Sequence, residues 1–292
     1  MESQLIAGVA RAAMLVDLHI STYSGRKQDR KTQDEVTSSK GAGSKRAASV
    51  YKSLFAECKE LDDIIKFQAR VRATHYRLTL PWSDTGTRLL PTKALFEYQQ
   101  VMSEHETEFD NLVDRFLDRY DTLVAAAAFQ LGTLFDRSEY PLRDSVANKF
   151  SMTSSFAPLP ISGDFRLDIE SEVQQDLIDQ YEQRSATLIA SAQRDAWDRL
   201  HDVLSRMSER LADDAKGERK IFHGTLVTNA EELCTLLATL NVTNDPQLEA
   251  ARLKLRDALV GVSPDELRKS DGARAETKRR VDEILDAFDW GT

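Results

Sequence analysis

Long apolar runs are missing from this chain of 292 residues. No stretch approaches the roughly 18 apolar residues that a membrane-spanning helix needs, so no helix is expected to cross a membrane. The N-terminal run from Leu5 to Val9 is preceded by Glu2 and interrupted by Arg11. It makes a poor signal peptide, and a cytoplasmic chain is expected. Cysteine is scarce as well. Cys58 and Cys234 are the two present, too few for a disulfide framework or a zinc site, and both are expected as core residues inside helices. The histidines at 19, 75, 105, 201 and 223 are scattered without the spacing of metal ligands, so no metal or cofactor is expected. A phosphate-binding loop is lacking: Gly41-Ala42-Gly43-Ser44-Lys45 has neither the required Gly-Lys-Ser/Thr order nor a buried strand leading into it. Ser24-Gly25 and Ser162-Gly163 lack the surroundings of a nucleophile elbow. No catalytic residue stands out, and the reading is a non-enzymatic protein.

What the chain does have is helical periodicity. Across residues 91–135, apolar side chains recur at Tyr98, Met102, His105, Phe109, Leu112, Phe116, Tyr120, Leu123, Ala127, Leu131 and Leu134. Steps of three and four mark one helix face. The pattern predicts a rod roughly 65 Å long. Residues 168–216 repeat it through Val173, Leu177, Tyr181, Leu188, Ala192, Ala196, Leu200, Val203, Met207 and Leu211, closed by Gly217. Residues 45–73 carry a third stripe, Ala47, Tyr51, Leu54, Cys58, Leu61 and Ile65. The fold class is therefore mainly α: an elongated antiparallel bundle or coiled coil over residues 1–219, with the two rods side by side. A short helix is expected over residues 3–12.

Strand candidates fall between the helices, as expected of one small sheet at an end of the bundle. Residues 14–23 alternate, with Val16, Leu18, Ile20 and Thr22 on one side. Residues 76–80, 149–156 and 164–167 are the others, and Trp82 after the second is read as a core residue. Pro141 opens a short helix over 142–148. Residues 220–292 change style into short, well-punctuated helices, expected as a C-terminal helical domain. Thr228 with Glu231 and Ser263 with Glu266 fit capping boxes, and Asp245-Pro246 opens a helix between them.

Charge is unevenly spread over a net −9. Residues 1–80 hold 14 Lys and Arg against 9 Asp and Glu, net +5; the remainder holds 25 against 39, net −14. Such asymmetry points to a partner for the basic part. Residues 24–46 have almost nothing apolar to bury and are expected as a mobile basic loop carrying Arg26, Lys27, Arg30, Lys31, Lys40, Lys45 and Arg46, flanked by Tyr23 and Tyr51. A second cluster joins Lys66, Arg70, Arg72 and Arg77 with Phe67, His75, Tyr76 and Trp82. Cations that track phosphates and aromatics that stack on bases make a single-strand binding surface. Tyr23 and Tyr76 are the stacking candidates. The competing reading is a solvated loop and a helix end whose arginines pair with the bundle's carboxylates.

The stretch Leu15-Val16-Asp17-Leu18-His19-Ile20-Ser21-Thr22-Tyr23-Ser24-Gly25-Arg26-Lys27, followed by a long helical body, resembles a phage-borne family often encoded beside an AAA+ ATPase of the MoxR or cobaltochelatase type. It is also similar to the single-stranded-DNA-binding RNA polymerase cofactor of N4-like phages. The resemblance implies a non-enzymatic single-stranded DNA-binding protein acting in phage transcription, with RNA polymerase or an AAA+ ATPase as protein partner. The alternative is a helical scaffold that docks on such a partner without touching DNA. Apolar stripes this long on few helices also predict a homo-oligomer.

Overall fold

In the computed structural model, residues 2–44, 46–161, 171–213, 220 and 223–290 are described. The expected strand at 164–167, the start of the second rod at Asp168 and its end at Gly217 lie outside them. The chain is mainly helical with a small antiparallel sheet. It divides into two compact units that the chain enters more than once. One comprises Met1–Asp17, His75–Tyr98 and Ser155–Thr292; the other comprises Leu18–Thr74 and Gln99–Ser154. This division differs from the expected boundary at 219/220, because residues 220–292 cluster with the first unit.

In the first unit, α1 (Glu2–Ala12) leads into β1 (Ala13–Ser21), and α7 (Ser171–Leu211) is the long element. Its buried stripe is Ile189, Ala192, Ala196, Leu200, Leu204, Met207 and Leu211, spaced by threes and fours. That stripe is covered by α1, α8 (Thr225–Leu240) and α11 (Asp271–Ala287). The second rod is thus sheathed by N- and C-terminal helices of its own unit. Between α8 and α11 come α9 (Pro246–Leu259), capped by Asp245 as expected, and α10 (Pro264–Lys269). One start and one cap bond differ from expectation. α8 begins at Thr225, which puts Thr228 inside the helix, and Ser263 makes no side-chain cap bond.

The sheet has the order β4-β5-β1-β6, with β4 (Leu80–Pro81), β5 (Arg88–Pro91) and β6 (Ser151–Pro158). Ala13 of β1 stands opposite Pro91 and Val16 opposite Arg88. Val16 and Ile20 are buried while Asp17 and His19 are exposed, the alternation read from sequence. Trp82 is buried, as is Cys234 on α8.

The second unit corrects two helices. The stripe at 45–73 is not one helix: β3 (Tyr51–Ser53) and an irregular turn precede α3 (Lys59–Leu78), so Cys58 is buried just ahead of the helix. The turn delivers Phe55 into an aromatic core, edge-on to Tyr23, Phe116 and Tyr140 at centroid distances of 6.2, 5.7 and 5.4 Å. Burying those rings outweighs one more helical turn. α3 also runs on through Tyr76, Arg77 and Leu78, so the strand expected at 76–80 shrinks to β4. The rod at 91–135 breaks at Arg119 into α4 (Leu95–Asp118) and α5 (Tyr120–Leu131), flanked by 3₁₀ turns at Thr92–Ala94 and Gly132–Leu134. No Pro or Gly marks the break. Arg143, on the short helix α6 (Arg143–Ala147), donates Nε to the carbonyl of Leu117 at 3.1 Å, and Arg119 pairs with Glu60. Side chains from elsewhere hold the kink open. His105, on the apolar stripe, is half-buried and packs edge-on to Phe67 at 5.5 Å, while its Nε2 is buried without a hydrogen-bond partner among the described residues.

Candidate nucleic-acid interface

The segment expected as a mobile loop is ordered. Arg26–Gln28 forms β2, paired antiparallel with β3 in a two-stranded ribbon, and Arg30–Ser39 forms α2. Gly25 makes the entry possible. Its φ is +59°, and an added Cβ would meet Leu61 Cδ2 at 2.9 Å. The ribbon is fixed at its end by the Asp29 amide, which donates to the Val50 carbonyl at 2.9 Å. Asp29 then caps α2, accepting from the Thr32 amide at 3.0 Å. That bond holds its carboxyl below the ordinary value.

Register decides which cations meet. Lys27 stands opposite Lys52, and Gln28 opposite Tyr51. Directly opposed residues share a face of the ribbon, so the two lysines project together. An open groove of about 990 Å³ lies against this ribbon, lined by Lys27, Gln28, Asp29, Arg30, Lys31, Thr32, Glu35, Lys52 and residues 133–137 and 139. Five cations and four carboxylates line it: Lys27, Arg30, Lys31, Lys52 and Arg137 against Asp29, Glu35, Asp136 and Glu139. The carboxylates are largely committed. Asp29 caps α2. Asp136 accepts from the Ser138 hydroxyl and amide at 2.7 and 2.9 Å, which lowers its carboxyl. Glu139 pairs with Lys52 at 2.7 Å, and Lys52 also donates to the Leu134 carbonyl, tying the ribbon to the far wall. Among the described residues, the side chains of Lys27, Arg30 and Lys31 make no hydrogen bond or ion pair. Their positive field is left for a ligand.

No protein-family model matches the chain, and neither a curated protein nor a solved structure does.

The other candidates divide. Arg26, Lys40 and Arg46 are exposed but do not line the groove, and Lys45 lies outside the described residues. Tyr23 is corrected: it is buried among Phe55 and its neighbours, with Lys149 Nζ 4.9 Å from its ring centroid, and presents no face for a base. Burial first, then the neighbouring tyrosines, pushes its hydroxyl up to about 12. Tyr51, read from sequence as part of the third stripe and as a flank of the basic segment, is 62% exposed; it does not line the groove and stands opposite Gln28, on the other face of the ribbon from Lys27 and Lys52. The second basic cluster does not line the groove. Arg70 is paired with Glu108 at 2.8 Å and lies over the Phe67 ring at 4.7 Å, the arrangement of the competing sequence reading. Arg72 is half-buried. Tyr76 is 47% exposed with Arg88 over its ring at 5.1 Å, and Arg77 is exposed; both fall in the first unit. Lys52 and Arg137 escaped sequence reading. A hairpin pattern across 26–28 and 51–53 could have found the first; no local signal marks the second, which lies beyond a whole helix pair.

Among the described residues, no group of three or more His, Cys, Asp or Glu could hold a metal ion, and no helix is long and apolar enough to cross a membrane.

Proposed function

We propose that this is a non-enzymatic single-stranded DNA-binding protein, acting in phage transcription, as the resemblance implies, or in phage replication. The observation that carries it is the groove beside the β2–β3 ribbon, where Lys27, Arg30 and Lys31 converge without side-chain partners among the described residues. Phosphates would enter by counterion release, and bases would stack on Tyr51 at the ribbon. Sequence preference would be low, since this set supplies charge and a ring face rather than a pattern of base-edge donors. An elongated bundle with a C-terminal helical element, assembled as a homo-oligomer, would present several such grooves along one strand.

Filter binding of labelled single-stranded and duplex oligonucleotides at two salt concentrations tests this. Tighter binding of the single strand and a steep salt dependence are expected. Equal affinity for both forms, or indifference to salt, sinks the mechanism. A second reading is an adaptor that docks on a polymerase or AAA+ ATPase. It is favoured by Phe129 on α5, 90% exposed on a face with Ala125 and Ala126. Salt-insensitive recovery of a protein partner without nucleic-acid binding would move that reading ahead.

A further inference from the structure

We propose that α2 is only marginally stable in the free chain and is held helical by a polyanion in the groove; this rests on the nucleic-acid reading above. α2 has 10 residues. A helix shorter than about 12–15 residues is marginal by itself and depends on packing an apolar face. α2 has little to pack. Its buried residues are Gln33 and Thr37, both polar; Gln33 is tied to the ribbon by accepting from Gln28 Nε2 at 2.9 Å, but the one sizeable apolar side chain, Val36, is 37% exposed. The Thr37 hydroxyl turns back to the carbonyls of Gln33 and Asp34 within the same helix. Such back-bonding adds nothing to docking. By contrast, α4 buries Tyr98, Met102, Phe109, Leu112, Phe116 and Leu117.

Charge opposes the helix as well. Arg30 and Lys31 sit in its first turn, at the positive end of the helix dipole, with Lys27 beside them on the groove wall. No acidic residue lies in that turn and no basic residue in the last. The Asp29 cap works in the helix's favour. A polyanion on Arg30 and Lys31 would cancel both the mutual repulsion and the conflict with the dipole. Since α2 must be helical for these two to join Lys27 at the groove, ordering and binding are linked. Apparent affinity is then scaled by the fraction of molecules in which α2 is formed.

Hydrogen exchange read by mass spectrometry on the full chain, free and with an oligothymidylate of about 12 nucleotides, tests the coupling. Amides of α2 should exchange much faster than those of α4 in the free chain and slow at least roughly ten-fold on binding. Fluorescence anisotropy supplies a second measurement. Val36→Gly should weaken binding about five-fold, and the pair Ser38→Ala with Ser39→Ala should tighten it about three-fold, with thermal midpoints unmoved. If α2 is as protected as α4 in the free chain, the coupling is overturned. If the oligonucleotide binds while α2 exchange and the variants' affinities stay unchanged, the coupling fails and the groove reading stands. If the oligonucleotide does not bind the parent chain at all, both fall.

Discussion

Two sets of cations in this protein do opposite things. In the first unit, Arg274 is 4% exposed and donates to the carbonyls of Leu211 and Lys220 at 2.9 and 3.2 Å, as well as to Arg210. It closes the C-terminus of α7, whose last carbonyls have no partner within the helix. Arg199 does the same for α3, donating to the carbonyls of Tyr76, Arg77 and Thr79 at 3.0, 2.8 and 2.8 Å while pairing with Asp195. In the second unit, Lys27, Arg30 and Lys31 face a groove with no side-chain bonds among the described residues. The number of cations therefore does not locate a binding surface. What locates it is whether their donors are already committed. A committed arginine should register in stability when removed, and an uncommitted one in binding.

The sharpest test of the committed class is Arg274→Met. It strips charge-assisted hydrogen bonds from buried carbonyls and should cost about 3 kcal/mol of stability in urea denaturation, while the folded fraction binds single strands as before. An unmoved midpoint would mean that Arg274 does not hold the end of α7 in place. The uncommitted class is tested by changing Arg26, Lys27, Arg30 and Lys31 together to Ala. Affinity for single strands should collapse at low salt, and the log–log salt slope should become shallower by about 0.7 for each lost phosphate contact. Stability should stay within about 0.5 kcal/mol, because the groove cations hold nothing together. Parent-like binding by this variant would remove the groove from consideration.

Aromatic partners sharpen the same contrast. Tyr51→Ala should weaken binding by about 1–3 kcal/mol with little effect on folding. Tyr23→Phe should leave binding unchanged, since its ring is enclosed in the core. A reversed pattern in the two titrations would restore Tyr23 as the stacking residue. A further test uses acid. Burial alone would raise the Asp245 carboxyl, but donation from Trp197 Nε1 at 3.0 Å, from Gln193 at 2.7 Å and from the Gln247 amide holds it below its ordinary 3.8. A carboxyl depressed in the fold contributes stability above its unfolded value, and that contribution is lost as pH falls through the folded one. Stability should therefore drop below about pH 4, with a change in Trp197 fluorescence that Asp245→Asn abolishes. The smallest effect is expected for Arg70→Ala. Its pair with Glu108 is exposed on both sides, so stability should change by roughly 0–1 kcal/mol.

Much of the architecture is legible in the chain because helical and strand periods are properties of single elements. α1, β1, α6, β6, α7 and α9 lie close to where their patterns place them, and residues 27–32 and 35 of the basic segment line one wall of the groove. The misreadings are of one kind. α3 extends past 73 because Arg199 caps it from 122 residues away. The rod breaks at Arg119 because Arg143 takes a carbonyl from 26 residues on. β2 and α2 form in a segment with almost no apolar content because β3 supplies a pairing edge and Asp29 a cap.

The helical stripes, the placement of the β1 strand and the excess of positive charge before residue 80 each depend only on neighbours along the chain, so the order of residues is enough to set them. Tertiary structure alone decided where helices stop, that Tyr23 is core, and that Lys52 and Arg137 join the groove. Those outcomes depend on which distant donor reaches a carbonyl and which distant ring fills a void, and periodicity carries no record of either.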